Sequence, residues 1–134
     1  MESNKKQIMN KQDNEENILI IKKNMIKAKN NGYKYIIITY EGSGDSGAIE
    51  NIIMSNDIPE YSWECPVDSK EITGSDKQTI DDWAYYEALS NVSDWYNNEG
   101  GYGFIVINVD DGTYEIKNNV RTTSINTESY SDKL

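Results

Sequence analysis

The run Tyr35-Ile36-Ile37-Ile38-Thr39-Tyr40 constrains the fold more than any other part of this 134-residue chain. Six β-branched or aromatic residues in succession favour extended backbone, and an unbroken apolar centre in place of strict alternation asks for cover on both faces. Tyr33 to Glu41 therefore reads as a strand covered on both faces or lying centrally in the sheet. Ala48 to Ser55, carrying Ile49, Ile52, Ile53 and Met54, reads as its hairpin partner across a glycine-rich loop, Gly42 to Gly47.

Two amphipathic segments supply helices to cover that sheet. The first opens after Asp13, where Asp13 and Glu16 have the spacing of a capping box. Ile18, Ile21, Met25 and Ala28 then recur at helical spacing, with Leu19 and Ile26 beside them, and Gly32 is the expected stop. The second opens at Ser75, with Gln78 completing a capping box. It runs to about Tyr96, with Ile80, Trp83, Ala84, Ala88, Val92 and Trp95 on one face, and Gly100, Gly101 and Gly103 end it. Phe104 to Val109, the turn Asp110-Asp111-Gly112 and Tyr114 to Asn118 form a second hairpin. Arg121 to Tyr130 adds a further edge strand. Between the halves, residues 56–75 hold both prolines, Pro59 and Pro66, and read as an irregular or edge-strand excursion pinned by Trp63 and Val67. These elements predict a single α+β domain over residues 1–134: a mainly antiparallel sheet of four or five strands, two helices packed on one face, and flexible tails at 1–12 and 131–134.

Charge narrows the partners. Residues 1–34 hold eight lysines against four acids, a net +4, and residues 35–134 hold five basic residues against nineteen acids, a net −14. An acidic body of this size repels phosphate backbones, so direct nucleic-acid binding is not expected; a basic protein surface is attracted instead. No apolar run approaches the ~20 residues that span a bilayer, and the polar N-terminus has no secretory core, so a cytoplasmic location without membrane attachment is expected. The lone Cys65 fits a reducing compartment and reads as an incidental thiol.

Gly42-Ser43-Gly44-Asp45-Ser46-Gly47 looks like the surroundings of a serine-protease nucleophile, yet the chain has no histidine, so a Ser-His-Asp triad is excluded. The loop lacks the Lys-Ser/Thr ending of a P-loop and leads into a strand. Its glycines and its Asp45 and Ser46 suit a turn held by side-chain hydrogen bonds; the functional reading is a polar site of Asp45, Ser46 and Glu50 facing Gly100 to Gly103 and Tyr102. Glu41, Asp45, Glu50, Asp110 and Asp111 could offer oxygen to Mg²⁺ or Ca²⁺, but Asn108 to Glu115 is misregistered for an EF-hand, and zinc lacks ligands. No cofactor and no metal is expected.

The elements Tyr40-x-Gly42-Ser43-Gly44-Asp45-Ser46-Gly47-x-Ile49-Glu50 and Gly100-Gly101-Tyr102-Gly103 resemble those of a small uncharacterised family found in bacteria and their phages. The resemblance covers roughly residues 33–130 and implies an α+β fold and a phage or mobile-element origin, without implying an activity. The chain departs from that pattern by an insertion around Cys65 and by its lysine-rich first helix.

With no complete catalytic set, the expected function is that of a non-enzymatic acidic binding protein, phage-encoded, which inhibits a host defence protein by occupying its basic, nucleic-acid-binding surface in an anti-CRISPR-like manner. Asp81, Asp82, Tyr85 and Tyr86 on the second helix are the candidate contacts, since tyrosine offers large contact area at low entropic cost. The competing readings are a carboxylate- or metal-dependent enzyme centred on Asp45 and Glu50, and a small accessory or regulatory subunit.

Overall fold

A computed structural model describes residues 11–43, 46–58, 69–90, 92, 101–120 and 126–134. In chain order these form α1 (Lys11–Asn30), β1 (Tyr35–Ser43), β2 (Ser46–Ser55), β3 (Ser69–Glu71), α2 (Gly74–Trp83) continued by a π-helical turn (Ala84–Ala88), β4 (Gly101–Asn108), β5 (Thr113–Val120) and β6 (Asn126–Lys133). The strands make one antiparallel sheet in the order β3-β2-β1-β4-β5-β6. The α+β class with two helices is as expected, but the sheet has six strands instead of four or five. One short polar strand, β3, accounts for the difference. β3, with only Ser69, Lys70 and Glu71, is recruited to the β2 edge by backbone pairing, within the segment read as an irregular or edge-strand excursion, and the expected last edge strand is β6, Asn126–Lys133.

The central place expected for the isoleucine run is what the structure shows. β1 pairs with β2 on one side and β4 on the other, and Ile36, Ile37 and Ile38 are all completely buried. Period-2 geometry sends Ile36, Ile38 and Tyr40 toward the helices, where they pack with Ile21, Ala28, Ile80, Trp83 and Ile105. Ile37 faces the other way and joins a smaller cluster with Ile53 and Phe104, flanked by Tyr35 and Val106.

The helices lie on the same face and are tied to one another. Asn24 on α1 is buried; its Nδ2 donates to the Ile20 carbonyl at 2.9 Å and to Asp76 Oδ2 at 3.1 Å. Lys23 Nζ lies 3.5 Å from the same carboxylate oxygen. Asp76 stands in the first turn of α2, where the helix dipole favours a negative charge. α1 ends as its sequence indicates: Gly32 adopts φ 86°, and the Tyr33 N–H reaches the Ala28 carbonyl at 2.9 Å.

Several local expectations are corrected. α1 already includes Lys11, so Asp13 lies inside the helix and does not cap it. α2 is capped from Thr73 without a side-chain bond; Ser75 is within its first turn, Thr79 Oγ1 donates to the Ser75 carbonyl, and Gln78 reaches forward to Asp82. The helical segment ends at Ala88, short of Tyr96, and Gly101 and Gly103 belong to β4. At the other terminus, residues 131–133 continue β6 in place of a tail, and the Leu134 N–H bonds the Gly112 carbonyl at 2.9 Å. Leu19 and Ile26 are 66% and 63% exposed, so the apolar stripe of α1 is narrower than its composition suggests. The readings placed on residues 1–10, Trp63, Cys65, Val67, Trp95 and Gly100 fall outside the described residues.

Candidate functional site

The glycine motif does not form a broad loop. Gly42 pairs with Gly47 and Ser43 with Ser46, so the β1–β2 ladder runs up to residues 44 and 45. Asp45 lies outside the described residues, and Ser46 is the first residue of β2. Glu50 is the extra residue of a β-bulge: Thr39 pairs with Asn51 and Tyr40 with Ile49, leaving Glu50 unopposed and exposed. The Asn51 N–H donates to Thr39 Oγ1 at 3.1 Å beside that bulge. Strand register brings the second glycine element alongside, with Gly42 opposite Gly101, Glu41 opposite Tyr102 and Tyr40 opposite Gly103. Glu50 is on β2, separated from β4 by β1, whereas Gly42 and Gly101 lie side by side on β1 and β4.

What joins them chemically is a buried polar bridge. Tyr40 donates its hydroxyl proton to Asn118 Oδ1 at 2.8 Å, and Asn118 is the β5 partner of Gly103. The Tyr40 ring thus spans β4 to reach β5. A Cβ on Gly103 would lie 2.9 Å from the Tyr40 hydroxyl and would collide with the Lys117 backbone carbonyl. Gly103 is the gap through which three strands meet, which assigns these residues to architecture.

In the final hairpin the Asp111 carboxylate is committed to the turn, while that of Asp110 lies 3.3 Å from Lys29 Nζ. Gly112 adopts φ 76°, its N–H bonds the Asn108 carbonyl at 2.9 Å, and the Asp110 N–H bonds Asn108 Oδ1 at 2.9 Å. Asp111 Oδ1 accepts from both the Thr113 hydroxyl and N–H, and these bonds hold its carboxyl below the usual range. Among the described residues no group of three or more Asp, Glu or Cys side chains is placed to hold a metal ion.

The remaining candidates cluster on α2 and its π-helical turn. Asp81, Asp82, Tyr85 and Tyr86 are all half-buried, so the tyrosines are less open than an interface reading from sequence assumes. Tyr85 packs partly against the core, and its ring meets that of Tyr86 edge-on at 5.0 Å. The Asp81 pKa is raised because burial disfavours its charge; Lys77 opposes the shift in part, and Asp82 adds a smaller repulsion. A π-helical turn widens the backbone by one residue, and such turns recur at functional sites.

Immediately after these residues lies a cavity of about 200 Å³ between the π-helical turn and the β5–β6 hairpin. Glu87, Tyr114, Tyr130 and Asp132 contribute to its lining, with Ala88, Val92 and Ile116. Trp83 holds Tyr114 in place through an edge-to-face contact, with centroids 5.2 Å apart at 83°. The Tyr114 hydroxyl is pushed up to about 12, chiefly by burial and further by Asp132 and Glu87. It stays neutral at physiological pH in a negatively biased site. Ser46, Glu50 and Tyr102 are not part of this group; Tyr102 is level with Asn119 near the far end of β5, whereas Tyr114 is at its start. Tyr114, Tyr130 and Asp132 escaped notice in the sequence, although Tyr114 and Ile116 share one face by alternation and Tyr130 and Asp132 continue that face in the paired strand.

Residues 20–134 match the model of a family described as Family of unknown function (DUF6878). The chain belongs to that family. Among the described residues, the match takes in every strand of the sheet, both clusters of buried side chains and the cavity; residues 1–19, which include the first part of α1, lie outside it. No curated protein and no solved structure matches the chain significantly. Among the described residues, no helix is long and apolar enough to cross a membrane.

Proposed function

We propose that this member of the family is a non-enzymatic acidic binding protein that occupies a basic surface on a protein partner. The observation that carries the reading is the segregation of charge: residues 35–134 hold nineteen acids against five basic residues, a net −14, while the lysines concentrate in the first 34 residues. Such a field draws in basic surfaces and repels nucleic-acid backbones. Asp81, Asp82, Tyr85 and Tyr86 on α2 and its π-helical turn combine steering charge with partly accessible ring area. A basic surface that normally binds nucleic acid is the natural target for such a field. The likeness of the glycine motifs to a family of bacteria and their phages makes a phage-encoded inhibitor of a host defence protein the specific form of the proposal.

The test is affinity capture from the native host, followed by surface plasmon resonance against the recovered partner at several salt concentrations. Association should slow steeply as ionic strength approaches the physiological range, where screening shortens to about 8 Å. Asp81→Lys with Asp82→Lys should lower the association rate more than it raises the dissociation rate, and Tyr86→Ala should mainly speed dissociation. Salt-independent association, or charge reversal without effect, would sink the reading.

A further inference from the structure

We infer that the cavity between the π-helical turn and the β5–β6 hairpin is a docking pocket for one arginine side chain of a protein partner. The inference rests on the reading of the chain as an acidic binding protein and assigns the point at which the partner's positive charge is received. Two carboxylates, Glu87 and Asp132, belong to one small cavity together with the rings of Tyr114 and Tyr130. Among the described residues neither carboxylate is in a salt bridge. Asp132 Oδ1 accepts from the Lys133 N–H at 2.7 Å, which orients its carboxylate from its own strand without neutralising it.

The lining selects against other ligands. Anions are repelled by both acids, and a purely apolar group would leave those acids poorly solvated without compensation. A divalent ion needs several convergent oxygen ligands, and no such group of side chains exists among the described residues. A cation with a flat apolar face meets every requirement: guanidinium is weakly hydrated, forks its donors toward carboxylates and stacks on aromatic rings, whereas the ammonium of lysine is compact and strongly hydrated. Ala88, Val92 and Ile116, each less than a tenth exposed, provide apolar surface for the aliphatic stem. The size favours a side chain over a free metabolite, because about 200 Å³ falls below the roughly 300–1,000 Å³ of ordinary small-molecule sites. The π-helical turn carries Glu87 and Ala88 into the cavity wall, so the one irregularity of α2 has a role in shaping it.

The test uses the intact protein and N-acetylarginine methylamide as probe, followed through the methyl resonances of Ala88, Val92 and Ile116. Saturable shifts at those three methyls, weak or absent with the uncharged N-acetylcitrulline analogue and smaller with the lysine analogue, are expected. Glu87→Gln combined with Asp132→Asn keeps the shape of the site and should weaken the probe at least about tenfold, the loss expected for removing charge from such hydrogen bonds. Equal response to arginine and citrulline amides, shifts confined to other parts of the molecule, or no response at all would overturn the assignment. The host partner takes no part in this experiment. Failure of the probe with salt-dependent association intact therefore removes the pocket alone, and loss of the salt dependence removes the parent reading.

Discussion

Gly103 and Tyr40 form one packing unit, because the ring of Tyr40 crosses the space that a side chain at 103 would fill. Asn118 is fully buried, and the Tyr40 hydroxyl is its donor. Gly103→Ala forces β5 away through the Lys117 carbonyl and should cost about 3 kcal/mol, in the upper range for overpacking. Tyr40→Phe keeps the ring and removes one hydrogen bond, so it should cost about 1–2 kcal/mol. Urea unfolding of the two variants checks the order; a glycine substitution milder than the tyrosine one would contradict the close approach. The motif residues were legible in the sequence, but their role was not. Glycine clusters suit turns and close strand contacts equally, and only the register that sets Tyr40, Gly103 and Asn118 side by side selects the second.

α2 shows how an element carries both a structural and an interaction surface. Its buried side, Ile80 and Trp83, docks on the sheet, and Asp76 binds it to α1 through Asn24 and Lys23. Asp81 lies between these demands. Its folded-state pKa is raised, so the folded state holds this proton more tightly than the unfolded state, and stability is lost as pH rises through the folded pKa. At neutral pH the charge on Asp81 is therefore a liability. Asp81→Asn should raise the thermal midpoint at pH 7, with the gain disappearing below about pH 3.5, where the carboxyl is protonated in both states. A scan of melting temperature against pH for the wild type and the variant decides this, and a variant no more stable than wild type at pH 7 would show the carboxylate to be solvated. The helical periodicity of this segment was readable as far as Ala88. The π-helical turn at Ala84–Ala88 was not, because helical spacing of apolar residues does not record one extra residue in a turn.

Across the whole molecule, charge and topology were encoded with different clarity. The net charge of −10 is a property of composition and opposes compaction through self-repulsion. Raising sodium chloride from low to physiological concentration should therefore raise the thermal midpoint by a few degrees, measured by calorimetry; a fall would mean that attractive pairs such as Lys29–Asp110, at 3.3 Å, outweigh the repulsion. Local residue chemistry was sufficient for the central strand, for both hairpins and for the stop of α1, since each depends on neighbours a few positions apart: a β-branched run, an Asp-Asp-Gly turn, a glycine able to take positive φ. The six-strand count, the strand character of Gly42, Gly47, Gly101 and Gly103, and the bulge at Glu50 depend on pairing between distant segments. A short polar strand such as β3 exists only because a neighbour offers unpaired N–H and C=O groups. The pocket was hidden for the same reason. Glu87, Tyr114 and Asp132 come from a helical turn and two strands, and no spacing along the chain records that folding sets them around one cavity.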